Sequence, residues 1–309
     1  IISKNMKQTY KTINYEWLFR PTGDPFTDAG GYALKEYSIL FPDLDILEII
    51  MKVTDIYVDK WNAKINPYFL NSKITQPAFN SKQKKEETRK YYTSLIMEKI
   101  PYIEGFCRIS GQNTKLFPAC RDNSVLSGSG KFVNFHHGFQ DGIMLSKEMI
   151  IRLYFLPLAS EYLQDKIAVV HSNNIQIAEF FSTCCCKENI DAVGRNVSDG
   201  ILRSVSRSPG TALFRYVDKL LAEAKIYSDE NNYTIALYHF TNFGATPDIK
   251  KYIHYHLKLS DFIDLHKKQN INNNGTPLLH PIIWQIRNTK KLNIMNMIVL
   301  LYVKIAKIQ

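Results

Sequence analysis

Apolar residues recur at three- and four-residue intervals through the first hundred positions, which predicts a mainly helical opening. Leu47, Ile50, Thr54, Tyr57 and Trp61 keep that spacing, with Glu48, Lys52, Asp55 and Asp59 between them. Thr22-Gly23-Asp24-Pro25-Phe26 reads as a helix start, because Asp24 can cap and Pro25 suits a first turn. Gly30 and Gly31 then fall inside the helical pattern, where they cost stability unless another backbone packs close. Pro42-Asp43 reads as the start of a second helix. Loops follow around Asn66-Pro67 and Gln76-Pro77, and a third helix is expected near Ser81. Its opening, Lys82-Gln83-Lys84-Lys85, sets cations against the helix macrodipole. Either a bound phosphate offsets this, or these lysines lie in the loop ahead of the helix.

Residues 101–142 are punctuated by Pro101, Gly105, Gly111, Pro118, Gly128, Gly130, Gly138 and Gly142, and read as loop-rich. Strand candidates follow at Ile167 to Val170, Ile175 to Phe181, Tyr233 to Phe240 and Tyr252 to Leu257, the last alternating with period two. Ser208-Pro209 opens a helix with Leu213, Val217, Leu220 and Ala224 on one face. The expected fold class is α+β, with a helical N-terminal part, a loop-rich centre carrying a small mixed or antiparallel sheet, and a helical C-terminal part. The expected regions are 1–100, mainly helical; 101–260, α+β; and 261–309, helical.

Charge narrows the picture. Among 309 residues, 39 Lys and Arg face 29 Asp and Glu, a formal net charge of +10 that favours polyanions, whether nucleic acid or an acidic membrane surface. An apolar content of 45% excludes a mostly disordered chain. The chain opens on Ile1, so a few residues are expected to precede it, and the polar, basic start shows no secretory pattern. Five cysteines, three of them adjacent at Cys184, Cys185 and Cys186, do not resemble a disulfide framework and fit a reducing cytoplasm. The apolar stretch Met297 to Val303 is far shorter than the ~20 residues that span a bilayer, so no membrane association is expected.

The candidate chemistries are weaker than the charge. Cys107-Arg108-Ile109-Ser110-Gly111 has the outline of a zinc knuckle whose second cysteine is replaced. Structural zinc wants four Cys or His ligands in close pairs, which Cys120, His136 and His137 do not complete, so no metal is expected. A Cys107–His136 nucleophilic pair has no local signature, and Asp24 with Asp28 could serve a metal-dependent nuclease, although capping explains Asp24 more simply. His254 and His256 share one face of a strand, where a polar surface is the simpler account. No Walker loop, dinucleotide fingerprint or zinc-protease helix is present, and neither enzyme activity nor a cofactor is expected. The segment Gly194 to Arg207 interleaves arginine with Ser, Asn and Gly, a composition suited to phosphate.

Four stretches, taken in order, resemble the CXXC-CXXC family of large subunits from type I-B-like CRISPR surveillance complexes (Cascade). They are Thr22 to Gly30, Asn71 to Ala78, the cysteine region, and Tyr238-His239-Phe240-Thr241-Asn242-Phe243-Gly244 followed by Ile253 to Leu257. The chain departs from the family at its namesake cysteines: the first pair survives only as Cys107 with Ser110, and the second falls on Ser146-Lys147-Glu148-Met149. The family's zinc is therefore not carried over, and packing is expected to replace it. The family also runs longer, so its terminal bundle is expected to be reduced here or to continue beyond Gln309.

The resemblance implies a non-catalytic subunit that inspects the short motif beside the target (the PAM), helps open the duplex, and recruits the helicase–nuclease in antiviral defence. Its partners would be guide RNA (crRNA), target double-stranded DNA, and the backbone, 5′-handle-binding and small subunits. Residue type and loop position, rather than a family motif, supply the contact candidates. Lys82, Lys84, Lys85, Arg89 and Lys90 could follow one strand, and Lys115, Lys131, Arg195, Arg203 and Arg207 could grip backbone elsewhere. Gln112, Asn113 and Asn134 could reach base edges as PAM readers. A metal-dependent nuclease, or an RNA-binding scaffold unrelated to CRISPR, are the alternatives.

Overall fold

The computed structural model describes residues 6–70, 72–125, 143–223, 233–241 and 248–257. They belong to one unit, residues 1–257, and residues 258–309 form a second, so the expected helical C-terminal region lies outside the described residues. The fold is α+β, as its sequence pattern predicts.

The helix α1 (Pro25–Ile39) starts as expected: the Asp24 side chain accepts from the Thr27 amide and Pro25 occupies the first turn. The helix α2 (Ile46–Asp55) begins later than Pro42-Asp43, because Asp45 and Glu48 form a reciprocal capping box that fixes the start. It passes into a π-helical turn (Ile56–Lys60) that ends at Trp61. Leu47, Ile50, Thr54, Tyr57 and Trp61 are all buried, as their spacing predicts. The helix α3 (Ser81–Ile96) is capped by Asn80, again in a box with Gln83, so Lys82, Lys84 and Lys85 lie within the helix and not ahead of it.

A first antiparallel sheet follows in the order β1 (Ile103–Phe106), β2 (Asn113–Ala119), β3 (Ile143–Ser146). The buried helix α4 (Lys147–Tyr154) leads to a 3-10 turn at Leu156–Ala159. The second sheet is antiparallel in the order β4 (Glu161–Leu163), β5 (Lys166–Ser172), β6 (Tyr233–Thr241), β7 (Asp248–Leu257). Three of the four expected strands are found there. The fourth, Ile175 to Phe181, is instead the start of helix α5 (Ile175–Gly194). Asn174 caps it, Ile177, Ala178 and Phe181 are buried on one side, and Ile175 is exposed, a helical rather than alternating pattern. The helix α6 (Pro209–Glu223) opens at Ser208-Pro209, with Leu213 and Leu220 buried.

The core crosses the expected 100/101 boundary. Tyr154 of α4 packs its ring 5.3 Å from Tyr57, 5.8 Å from Phe69 and 4.8 Å from Tyr92. Its hydroxyl hydrogen-bonds Thr54 at 2.8 Å, so the ring's polar tip is satisfied inside the core. The helix α1 packs tightly on α4. A Cβ on Gly30 would sit 2.0 Å from the Arg152 carbonyl oxygen, and one on Gly31 would sit 2.5 Å from the Arg152 guanidinium. This is the close packing that offsets two glycines in a helix.

Candidate nucleic-acid interface

The candidate contacts fall on three parts of the fold. The first is α3, where the helical period spreads the five cations instead of aligning them. At about 100° per residue, Lys82 and Arg89 share one flank and Lys84 points to the opposite one. Lys85 is engaged internally, 2.8 Å from Asp55 and 2.6 Å from Asp59. Desolvation would lower its pKa, but those two carboxylates outweigh it and raise it, so the macrodipole objection is answered for Lys85 without a bound phosphate. Lys82 lies 3.8 Å from Glu86, while Arg89 and Lys90 are exposed.

The second part is the β1–β2 hairpin. Cys107 and Gln112 close its turn, with the Cys107 amide donating to the Gln112 carbonyl at 2.8 Å and Gly111 supplying a left-handed φ of 69°. Asn113 lies directly across from Phe106, which is 69% exposed, so the hairpin tip presents two amides beside an aromatic ring. Lys115 is turned inward: its ammonium reaches Glu98 at 2.5 Å and lies 4.6 Å from the Tyr102 ring centre. Lys131 and Asn134 lie outside the described residues, as do His136 and His137.

The same turn packs back against the start of α4. The Cys107 thiol is buried and accepts a hydrogen bond from the Ser146 amide at 3.3 Å. Beside it, the buried Lys147 reaches Glu98 at 2.7 Å. Glu98 thus receives cations from β2 and from α4. Burial would raise its pKa, but the hydrogen bonds from Lys115 and Lys147 outweigh it and hold the carboxyl below its ordinary value.

The third part is the segment after α5, running to Ser208. It is a strap, pinned by backbone and side chain together. The Tyr162 amide donates to the Leu202 carbonyl at 2.7 Å and the Ser204 amide donates to the Tyr162 carbonyl at 2.9 Å, extending the β4 edge. The buried Asn189 accepts from the Leu202 amide at 2.8 Å and donates to the Leu158 carbonyl at 2.9 Å. At the strap's N-terminal end the indole N–H of buried Trp61 donates to the Ser198 hydroxyl at 2.8 Å. Lys60 donates to the Asn196 side chain at 2.8 Å and Lys64 to Asp199 at 3.2 Å. Arg203 lies 4.0 Å from the same Asp199 oxygen, and Arg195 pairs with Asp191 at 2.7 Å. Arg207 is exposed, its carbonyl held by the Gln164 side chain at 2.5 Å.

The fold therefore adds two cations, Lys60 and Lys64, that sequence reading did not single out. They are more than a hundred residues from their strap partners, and nothing in their local sequence marks them. The backbone that presents them is unusual: a π-helical turn ends at Lys60, Asn62 and Ala63 take left-handed φ values of 48° and 56°, and Asn196 opposite has φ 55°.

The other candidate chemistry is engaged in structure. Asp28 is buried and bound by Arg152 at 2.6 Å, by the Thr22 amide and hydroxyl at 2.8 and 2.7 Å, and by the Gly23 amide at 2.8 Å. Asp24 caps α1. Burial pushes the Cys185 and Cys186 thiols well up, which disfavours the nucleophilic thiolate. Among the described residues no group of three or more His, Cys, Asp or Glu is arranged to hold a metal, and no helix is long and apolar enough to cross a membrane. Comparison with protein-family models, with curated proteins and with solved structures finds no match for this chain.

Proposed function

We propose that this chain is the non-catalytic large subunit of a type I CRISPR surveillance complex, acting in the cytoplasm. It binds target DNA beside the guide RNA, reads the PAM, promotes duplex opening and offers a surface to the helicase–nuclease. The observation that carries this reading is the meeting of two stretches that the family resemblance pairs. Cys107 and Ser146 are 39 residues apart, yet the Ser146 amide donates to the Cys107 sulfur at 3.3 Å inside a buried junction. That is where two cysteine pairs would share an ion if all four cysteines were present. The Lys147–Glu98–Lys115 ion network supplies the cross-link that the metal would otherwise give.

Two further features support the same reading. The formal charge of +10 suits a polyanionic partner. The β1–β2 hairpin is a two-stranded ribbon of the size that a major groove admits, and it carries Gln112 and Asn113 at its end, with side chains suited to adenine edges. Binding of the assembled complex to duplexes with and without a PAM tests the proposal. Complexes reconstituted with this chain should bind PAM-bearing duplex preferentially, and complexes lacking it should lose that preference. Equal, PAM-dependent binding without the chain overturns it.

A further inference from the structure

The strap and the π-helical turn place basic side chains of two distant segments at one surface. Lys60 and Lys64 come from the end of the turn and the bend after it; Arg195 and Arg203 come from the strap. All four are exposed. The array is held from beneath by groups that are not themselves charged. The buried Trp61 indole fixes Ser198, and the Ser198 hydroxyl in turn donates to the Gly200 carbonyl at 2.7 Å. The two carboxylates in the array are Asp191 and Asp199. Lys60 is steadied by a neutral amide, so its charge is left uncompensated there. Asp199 is the informative residue: one of its oxygens lies between Lys64 at 3.2 Å and Arg203 at 4.0 Å, as a phosphate oxygen would when shared by two cations.

We infer that Lys60, Lys64, Arg195 and Arg203 form a backbone-phosphate cradle for nucleic acid, in which Asp199 occupies the anion position until a phosphodiester displaces it. The inference rests on the nucleic-acid-binding reading above and deepens it. The site grips phosphate chiefly through ammonium and guanidinium groups, which contact backbone and not base edges; the Asn196 amide oxygen is taken by Lys60, and the exposed Asn62 is the amide that lies between the two lysines. The hairpin, by contrast, carries an exposed amide, Asn113, beside its turn. A phosphodiester offers a full charge and two unesterified oxygens, so it satisfies Lys64 and Arg203 together more completely than one carboxylate oxygen does.

The full chain, alone and within the reconstituted complex, is titrated by fluorescence anisotropy over a salt series. The probes are two duplex DNAs of equal length and unrelated sequence, and one single-stranded RNA. The Lys60→Gln/Lys64→Gln variant should weaken binding roughly fivefold to tenfold per lysine near about 0.1 M salt, and equally for both duplexes. The slope of log affinity against log salt should fall by about 0.9 per lysine on duplex DNA, or about 0.7 on RNA. Asp199→Asn should move the other way, tightening binding severalfold, because the internal competitor is removed. Ser198→Ala leaves every charge in place but unties the strap from Trp61, and should weaken binding by a smaller factor. Loss on DNA alone assigns the cradle to target, loss on RNA alone to guide, and loss on both to either backbone; each supports the inference. Wild-type binding with an unchanged salt slope in the double lysine variant overturns the inference and leaves the proposed function standing. Absence of salt-dependent binding by the wild type, alone and in the complex, overturns both.

Discussion

The Asp28–Arg152 pair and the strap array use the same kinds of side chain for opposite ends. Arg152 and Asp28 expose 0% and 2% of their side chains, and every direction around them is filled by protein. The guanidinium donates to Asp28, to the Thr27 carbonyl at 3.0 Å and to the Arg20 carbonyl at 2.7 Å, so one arginine organises the entry to α1. Lys64, Arg195 and Arg203 expose 54%, 66% and 74%, and the carboxylates near them are as open as they are. Water screens those pairs, and exposed pairs contribute about 0–1 kcal/mol to folding. The contrast teaches where charge is used for architecture and where it is left for a partner: burial, and not proximity of opposite signs, separates the two.

The largest effect should come from breaking the buried pair. Arg152→Ala leaves the Asp28 carboxylate buried without its cation and the Thr27, Trp17 and Arg20 carbonyls without their donor, and should cost about 3–5 kcal/mol in urea unfolding. Gly30→Ala attacks the same junction from the other side. Its new Cβ meets a backbone oxygen that cannot swing away, so α1 and α4 must separate, at about 3 kcal/mol or slightly less. A loss under about 1 kcal/mol for either would mean the junction is looser than its distances say.

Acid offers a second way to break that pair. Burial alone would raise the Asp28 pKa, but the His171 imidazole 3.9 Å away, the Arg152 charge and the donors of Thr22 outweigh it and hold it below its ordinary 3.8. A depressed carboxylate contributes stability that is present above its unfolded pKa and lost as pH falls through the folded one. Wild-type stability should therefore fall as pH drops below about 4, while Asp28→Asn, weaker at neutral pH, should fall less steeply over that window. Equal slopes for the two proteins would remove Asp28 from the acid-sensitive groups.

These regions also differ in how far sequence alone reveals them. The Asp24 cap, Pro25 and the glycine pair could be read directly, because capping chemistry and the cost of a helical glycine are local. What made Gly30 necessary, the Arg152 backbone, could not, since it depends on a contact spanning more than a hundred residues. The helix at Ile175 to Phe181, where a strand is expected, has a similar origin: Ile-Gln-Ile-Ala-Glu-Phe-Phe is rich in strand formers, but Asn174 caps it and packing selects the helix. Arg195 and Arg203 were legible from composition, whereas Lys60 and Lys64 became visible only when the turn met the strap. Lys85 and Lys115 show the reverse error, since residue type cannot reveal that Asp55, Asp59 and Glu98 engage them internally.

An intermediate effect is expected at Glu98, which belongs to both sides of the comparison. Glu98→Ala leaves Lys147, 5% exposed, without its main counter-ion, and should cost roughly 2–3 kcal/mol. The Lys60→Gln/Lys64→Gln pair should change stability by no more than about 0.5 kcal/mol, with melting curves that overlay the wild type. A stability loss approaching that of Glu98→Ala would show that the strap cations serve the fold.

The smallest expected effect is on metal removal. In a zinc knuckle the thiolates are held by the ion, and chelation unfolds the junction. Here the Cys107 sulfur is already occupied by the Ser146 amide, Ser110 and Ser146 offer hydroxyls and not thiolates, and Lys147, next in sequence to Ser146, is buried with its ammonium on Glu98. A buried lysine cation near a divalent ion is repulsive, so Lys147 disfavours a metal at this junction. Dialysis against a strong chelator should leave the unfolding midpoint unchanged, and elemental analysis of the purified chain should give far less than one zinc per molecule. A midpoint that falls on chelation and recovers with added zinc would show that ligands beyond Cys107 complete a site. The ion network would then be an accessory to the metal and not its substitute.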